Sequence, residues 1–490
     1  MRFFIIFILM LASSAFAQTF DPNAYNGSAC SGTSIPGCTS TFSAITTKPS
    51  NVGAVTVTTD PLPINTNISD VHTLLYSGAT PKILFHYMDW WGCSGHMNIG
   101  KVGNNSAAIA KEAATMLAYG GYGMVIDWAG NRDSAKACRL ANTNAWATYL
   151  TANFGSVPLH MGVMVDEGSL TAACPIGSTD RTTCLTTELN AELDYVNTNY
   201  ASQAWYLKDG TNPMVFFFID ETDWTGTNWT SVWSAVKTHT NAFSAPFKFI
   251  FENTQSHTQG DGGFAWMGNP VTYSSTSQLF WGSSSSTTPT SYNNFYASCR
   301  SNPSNICVGM LKKGFDDGIG FGGGFGGLNR VQSQRCGQTW LDTANLIGTD
   351  GYSSSSQLAY LQLGTWNDYE EGTELETGID NCWRVGTASI TGSTLNWSLS
   401  KTDAAYAVNS TIEKLQVLYG TGNSFQVGID NIPVTNISQS LSTLPTGTWT
   451  VYLRVVGKPA MQNQLSLGIP FSTQINRVIG HTVGGGRVVH

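Results

Sequence analysis

Asp368 and Glu371 stand three residues apart in LQLGTWNDYEEGTELETGIDNCW, residues 361–383. Carboxylates at that spacing lie close together in a turn or at a helix start. Two close carboxyl groups beside apolar walls hold their protons unequally, so one can donate a proton near neutral pH. That is the chemistry of acetal cleavage: one group protonates the leaving oxygen, and the other activates water or attacks directly. Trp366 and Tyr369 supply candidate walls, and Asn367 a polar neighbour. Five carboxylates (Asp368, Glu370, Glu371, Glu374, Glu376) crowd into nine residues of a chain with 32 acidic residues in 490. A solvated acidic loop or an oxygen-lined calcium site is the competing use of such a stretch. Glu374 and Glu376 read as supporting charges at a helix start.

The elements that must position this pair follow a repeating plan. From Lys82, apolar β-rich runs recur, each ending in polar or acidic residues: KILFHYMDWW, GMVIDWAG, PLHMGVMVDEG, MVFFFIDETDW, FKFIFENTQ, GGFAWMG, NICVGMLKKGFDD and AYLQLGTWNDYEEG. Between several of them lie helix-like segments such as SAAIAKEAATMLAYGG, TTELNAELDYVNTNYASQAW and TSVWSAVKTHTNAF. Near-continuous apolar strands alternating with helices predict a parallel sheet covered on both faces. Eight such units predict an α/β fold, a (β/α)8 TIM barrel over residues 76–384, with its chemistry at the C-terminal ends of the strands. Acidic residues gather at those ends: Asp89, Asp127, Asp166, Asp220, Glu252, Asp316 and Asp368. Helix capping accounts for two or three of them; seven on one face point to a binding cleft. His86, Asp89, Trp90, Asp127, Trp128, Asp166, Asp220, Glu252 and Trp266 are therefore candidate ligand contacts, with Trp366, Asn367 and Tyr369 beside the pair. Lys312 is a hydroxyl donor or a partner of Asp316. A phosphate-loop reading of GFDDGIGFGGGFGG fails, because no Gly-Lys-Ser/Thr follows.

Residues 1–17 read as a secretory signal peptide: Arg2, an apolar run too short to span a membrane, and a small-residue ending before Gln18. A secreted, extracellular protein with no membrane association after signal removal is expected. Ten cysteines without a CxxC pair predict disulfides in place of a metal site, with sequential pairs 30–38, 93–138, 174–184, 299–307 and 336–382 favoured by short loops. Residues 18–75 read as an extended arm. Net charge is −8 at low charge density, which excludes a nucleic-acid partner. Fifteen Trp and eighteen Tyr among amides and carboxylates suit a neutral polysaccharide, although most single aromatics belong to a core. No metal or cofactor and a monomer are expected. After Arg384, STLNWSLS, IEKLQVLYG, SFQVGID and TWTVYLRVVG alternate between turn residues, which predicts a β-sandwich over 385–490. A site at the strand ends needs no residue of that unit, so its removal is expected to leave activity intact.

TWNDYEEGTELE resembles the segment that closes the barrel in two glycosidase families. Trp366, Asn367, Asp368, Tyr369 and Glu371 follow glycoside hydrolase family 71, the α-1,3-glucanases. Asn367, Glu371, Gly372 and Thr373 follow family 99, the endo-α-mannosidases. Glu370 and Gly372 depart from the first pattern; Asp368, Tyr369 and Glu370 depart from the second. The resemblance covers roughly residues 80–380. It implies Asp368 and Glu371 as the catalytic dyad, with Glu371 as general acid and Asp368 as base or base-positioning group. Family 71 implies inversion on α-1,3-glucan; family 99 implies a retaining, substrate-assisted mannosidase or mannanase. The rival of another class is a non-catalytic carbohydrate-binding surface protein on a barrel scaffold. Trp397, the Leu444–Gly447 turn and Tyr452 resemble the fibronectin type III pattern.

Overall fold

The computed structural model describes residues 66–93, 96, 103–132, 136–175, 180–267, 271–272, 288–316, 330–332, 334–421 and 424–473. The predicted signal peptide, most of the predicted arm, the predicted Cys30–Cys38 pairing and much of the glycine-rich run lie outside the described residues.

All eight apolar runs form strands: β1 Lys82–Met88, β2 Gly121–Trp128, β3 His160–Asp166, β4 Asn212–Phe218, β5 Lys248–Glu252, β6 Gly262–Phe264, β7 Ile306–Lys312 and β8 Tyr360–Gly364. Each pairs in parallel with the next, and β8 returns to β1, closing the barrel. Helices α1 Ser106–Ala118, α2 Ala137–Asn153, α3 Glu167–Ala173, α4 Arg181–Val196, α5 Trp229–Thr240, α6 Thr288–Ser301 and α7 Gln338–Thr349 intervene. The strands carry few polar residues because both of their faces are covered, one by the barrel interior and one by helices.

The interior holds one apolar side chain from every strand: Leu84, Val125, Met164, Phe216, Ile250, Phe264, Val308 and Tyr360. Side chains alternate across a strand, so the residue two places on faces the same way, one layer nearer the C-terminal mouth. That next layer reads His86, Asp127, Asp166, Phe218, Glu252, Trp266, Met310 and Gln362. An apolar floor thus carries a mostly polar layer, and the change falls where barrel chemistry resides.

The last residues of the predicted arm are built into the body. Val71 is fully buried, and Thr66 bridges to Gln462. Beyond the barrel, β9 Trp383–Thr391, β10 Thr394–Lys401, β11 Ile412–Thr421, β12 Ser424–Ile432, β13 Ser438–Ser440, β14 Gly447–Gly457, β15 Gln464–Leu465 and β16 Ile469–Thr473 form two antiparallel sheets. One apolar cluster draws on both, including Leu395 and Trp397 from one and Val417, Leu453 and Phe471 from the other.

This unit is not a free appendage. Met461 is fully buried within the barrel's own apolar cluster, and Ile379 exchanges backbone hydrogen bonds with Ala460 and Gln462, both 2.8 Å. Trp340 of α7 donates to the Pro459 carbonyl at 3.1 Å. Four predicted disulfides are present, Cys93–Cys138, Cys174–Cys184, Cys299–Cys307 and Cys336–Cys382, and no cysteine among the described residues is unpaired. No helix among the described residues is long and apolar enough to cross a membrane.

Candidate active site

The segment after β8 is tied to β1. The Trp366 amide donates to the His86 carbonyl at 2.7 Å. Asn367, fully buried, uses its side-chain amide as a strand would use its backbone: it accepts from the Met88 amide at 2.8 Å and donates to the Met88 carbonyl at 3.0 Å. Asp368 follows and is 1% exposed. Its Oδ1 accepts from the amides of Glu370 and Glu371, each at 3.0 Å, and its own amide donates to Thr365 Oγ1 at 2.9 Å. Burial, and secondarily the charge of Glu370, push the Asp368 carboxyl up to about 7. The backbone turn from Asp368 to Glu371 is therefore held by the Asp368 side chain itself. Glu371 is half-buried.

The other charges of the stretch are held by specific partners. Glu370 Oε2 lies 3.2 Å from His96 Nδ1, and His96 stacks on Trp90 at 4.6 Å with rings 3° from parallel. Glu374 pairs with Lys313 at 2.9 Å, both side chains 1% exposed. Tyr369 donates to Glu376 at 3.2 Å. The solvated-loop reading fails, because Asp368, Glu370 and Glu374 are all buried. No cluster of metal-ligating side chains occurs among the described residues.

A second acidic group lies at the ends of β2 to β5. Asp127 is buried, its Oδ1 has no hydrogen-bond partner, and its Oδ2 accepts from Arg139 at 3.1 Å. Burial and the neighbouring Asp166 push its carboxyl well above the usual range. Asp166 caps α3 by accepting from the Gly168 amide at 2.5 Å. Glu252 is raised to about 8 by burial, with Asp220, Glu167 and Asp166 adding to the effect. Asp220, exposed, caps a short 3-10 turn at Glu221–Asp223, accepting from the Thr222 amide at 2.9 Å. His86 is fully buried, and desolvation lowers its imidazole to about 3. Trp266, half-buried, meets His86 edge-on at 4.6 Å and Phe218 at 5.2 Å.

The strand-end candidates divide accordingly. His86, Asp127, Asp166, Glu252 and Trp266 share the inner layer, with Asp220 just above it. Asp89 is spent on structure: Arg139 Nε holds one oxygen at 2.5 Å and Thr143 the other at 2.9 Å. Trp90 packs between Arg139 and His96. Trp128 faces the helices, its ring against Tyr195 and Tyr200 and fully buried. Trp366 packs on Phe85 and Tyr119, and Tyr369 on Trp91. Trp128, Trp366, Asn367 and Tyr369 are thus packing or stitching residues, because adjacency to a strand end does not say which face a side chain takes. Asp316 has a described backbone only. Reading the sequence for carboxylates and aromatics passed over His96, Lys313 and Gln362. Gln362 had a signal: it lies two places beyond Tyr360, inside an apolar run.

No family model matches the chain, and no curated protein matches it. Among solved structures it is similar to the glycoside hydrolase family 99 endo-α-mannosidase of Bacteroides thetaiotaomicron, with and without bis-tris-propane. Identity is 13% and 12%, with 61% of this chain and 87% and 88% of those chains covered, and TM-scores of 0.44 and 0.42. It is also similar to a glycoside hydrolase-like protein, at 9% identity, 65% and 90% coverage and a TM-score of 0.41. At these values the likeness bears on neither substrate nor mechanism.

Proposed function

We propose that the chain is a secreted glycoside hydrolase that cleaves an α-linked polysaccharide, with Asp368 and Glu371 as its acid/base pair. The observation that carries the reading is Asp368: a carboxyl group buried just beyond β8, raised to about 7, whose Oδ1 accepts the backbone amide of Glu371, the residue that bears the second carboxylate. A group with that pKa holds a proton near neutral pH and can release it, which is the requirement for general acid catalysis. Since Oδ1 already accepts two backbone N–H groups, the proton belongs on Oδ2. The geometry therefore favours Asp368 as the acid and Glu371 as the base, the reverse of the roles implied by the motif resemblance.

The motif favours α-1,3-glucan and inversion; its match to family 99 keeps an endo-α-mannosidase as the second reading. His86, Asp127, Asp166, Asp220, Glu252 and Trp266 supply the cleft, and the C-terminal sheets are a fibronectin type III-like sandwich that buttresses the barrel. A carbohydrate-binding protein without turnover is the alternative of another class. Purified protein on linkage-defined α-glucans and α-mannans separates these readings. Reducing-end release that disappears in Asp368→Asn and Glu371→Gln supports the hydrolase; binding without product from any of them overturns it.

A further inference from the structure

A buried polar atom without a partner costs stability, so folds retain few, and those at a cleft mark a place that a ligand completes. Three such atoms belong to neighbouring strands of the barrel: Lys312 Nζ on β7, Gln362 Oε1 on β8 and His86 Nε2 on β1. All three residues are fully buried. The parallel register sets Lys312 beside Gly364 and Gln362 beside Met310 on one side and Leu84 on the other. Lys312, Gln362 and His86 therefore share the inner face on three adjacent strands. Gln362 Nε2 lies 3.4 Å from His86 Nδ1, and the His86 ring meets Trp266 at the mouth. Lys312 makes no ion pair among the described residues; its nearest aromatic contact is Tyr292, 5.5 Å from Nζ to the ring centroid. A lysine placed for stability would have a carboxylate or carbonyl at its end.

We infer that Lys312, Gln362 and His86, walled by Trp266, form a subsite for one neutral pyranose unit, an assignment that rests on the glycosidase reading above. With Nδ1 facing the Gln362 amide, His86 presents Nε2–H as a donor. Gln362 Oε1 is an acceptor. Lys312, whose amine burial holds well below its usual pKa, supplies a donor at Nζ. Vicinal hydroxyls both donate and accept, so this set matches them. The indole offers a face for the sugar's C–H groups. An anionic sugar is disfavoured, because Asp166 lies in the same layer and Arg139 is already committed to Asp89 and Asp127.

The test uses the full chain carrying Glu371→Gln, with and without Lys312→Met or Gln362→Leu, both close in volume to the parent residue. Calorimetric binding is measured for α-1,3-linked glucotetraose, α-linked mannotetraose and tetragalacturonate, alongside thermal unfolding. A subsite role predicts about tenfold weaker binding of the neutral tetrasaccharide for each lost hydrogen bond. For Lys312→Met it also predicts an unchanged or higher Tm, since an unpartnered polar group is removed, and for the parent and both variants no binding of tetragalacturonate. Unchanged affinity in both variants, or preferential binding of tetragalacturonate, overturns the subsite. Should Lys312→Met fail to fold, Gln362→Leu decides alone. A parent chain that neither binds nor cleaves any neutral tetrasaccharide overturns the glycosidase reading itself, a result distinct from a parent that cleaves and variants that match it.

Discussion

Asp368→Asn tests site and fold at once, and the two readouts have opposite signs. A folded-state pKa raised from the ordinary 3.8 to about 7 means that the native state prefers the protonated form. Such a group contributes fully below the unfolded pKa, and the contribution is lost as pH rises from about 4 through about 7. At about 1.4 kcal/mol per pKa unit, the full loss is on the order of 4 kcal/mol. Roughly a third of it is already incurred at pH 5, because the unfolded carboxyl is by then mostly ionised. Asparagine keeps the shape and an oxygen for the amides of Glu370 and Glu371 but never ionises. Urea unfolding should show Asp368→Asn gaining on the parent by about 2–3 kcal/mol between pH 5 and pH 8. Over the same range its hydrolytic rate should be lower by about 10²–10⁴. A stability gap that is flat with pH would show that Asp368 is an ordinary ionised carboxylate when folded. A parental rate would remove it from the acid/base pair.

Lys313→Met should cost about 3–5 kcal/mol in urea unfolding, since it strands the buried Glu374 carboxylate, and adding Glu374→Leu should recover most of that; a cost below about 1 kcal/mol would mean that water reaches the pair. Glu374→Gln should leave the rate near parental while lowering Tm, because Glu374 serves Lys313. Glu252→Gln should raise Tm above pH 8, where the native carboxyl is forced to ionise, and change it little at pH 4; the reverse order would contradict its raised pKa. Deleting residues 385–490 exposes the surroundings of Met461 and leaves Trp340 without its acceptor, so limited proteolysis and calorimetry should show a destabilised barrel. A truncated chain with the parental Tm would restore the picture of an independent module.

The barrel was legible because strands covered on both faces leave long apolar runs, and the period-two layer over those runs can be read off by counting. The crowding of carboxylates into one turn beyond β8 was legible from spacing and residue type. What spacing does not encode is the face taken once a strand ends. Trp128, Trp366 and Tyr369 follow the apolar side, and Asn367 spends its amide on β1. Nor does it encode partners brought together only by closure: His96 meets Glu370 across 274 residues, and Lys313 reaches Glu374 from another strand end. How the C-terminal unit meets the barrel is hidden from the sequence for the same reason. Alternation identifies its strands, while the segment that joins it to α7 and Ile379, Lys458–Gln462, has no periodicity to betray it.

The Asn367 side chain has a bearing on how such a site can be moved between proteins. Its two hydrogen bonds end on Met88, so the height of the acid turn above the mouth is referenced to β1, at the opposite end of the barrel sequence. The segment leaving β1 carries Trp90 and Cys93, the latter fixed to α2 through Cys138, and His96 touches Glu370. The turn and this segment behave as one mechanical part assembled from two distant pieces of chain. Transplanting WNDYEEG alone onto another barrel would move the carboxylates without their datum, whereas a graft that also carries residues 86–96 with α2 keeps the acid where its pKa was set.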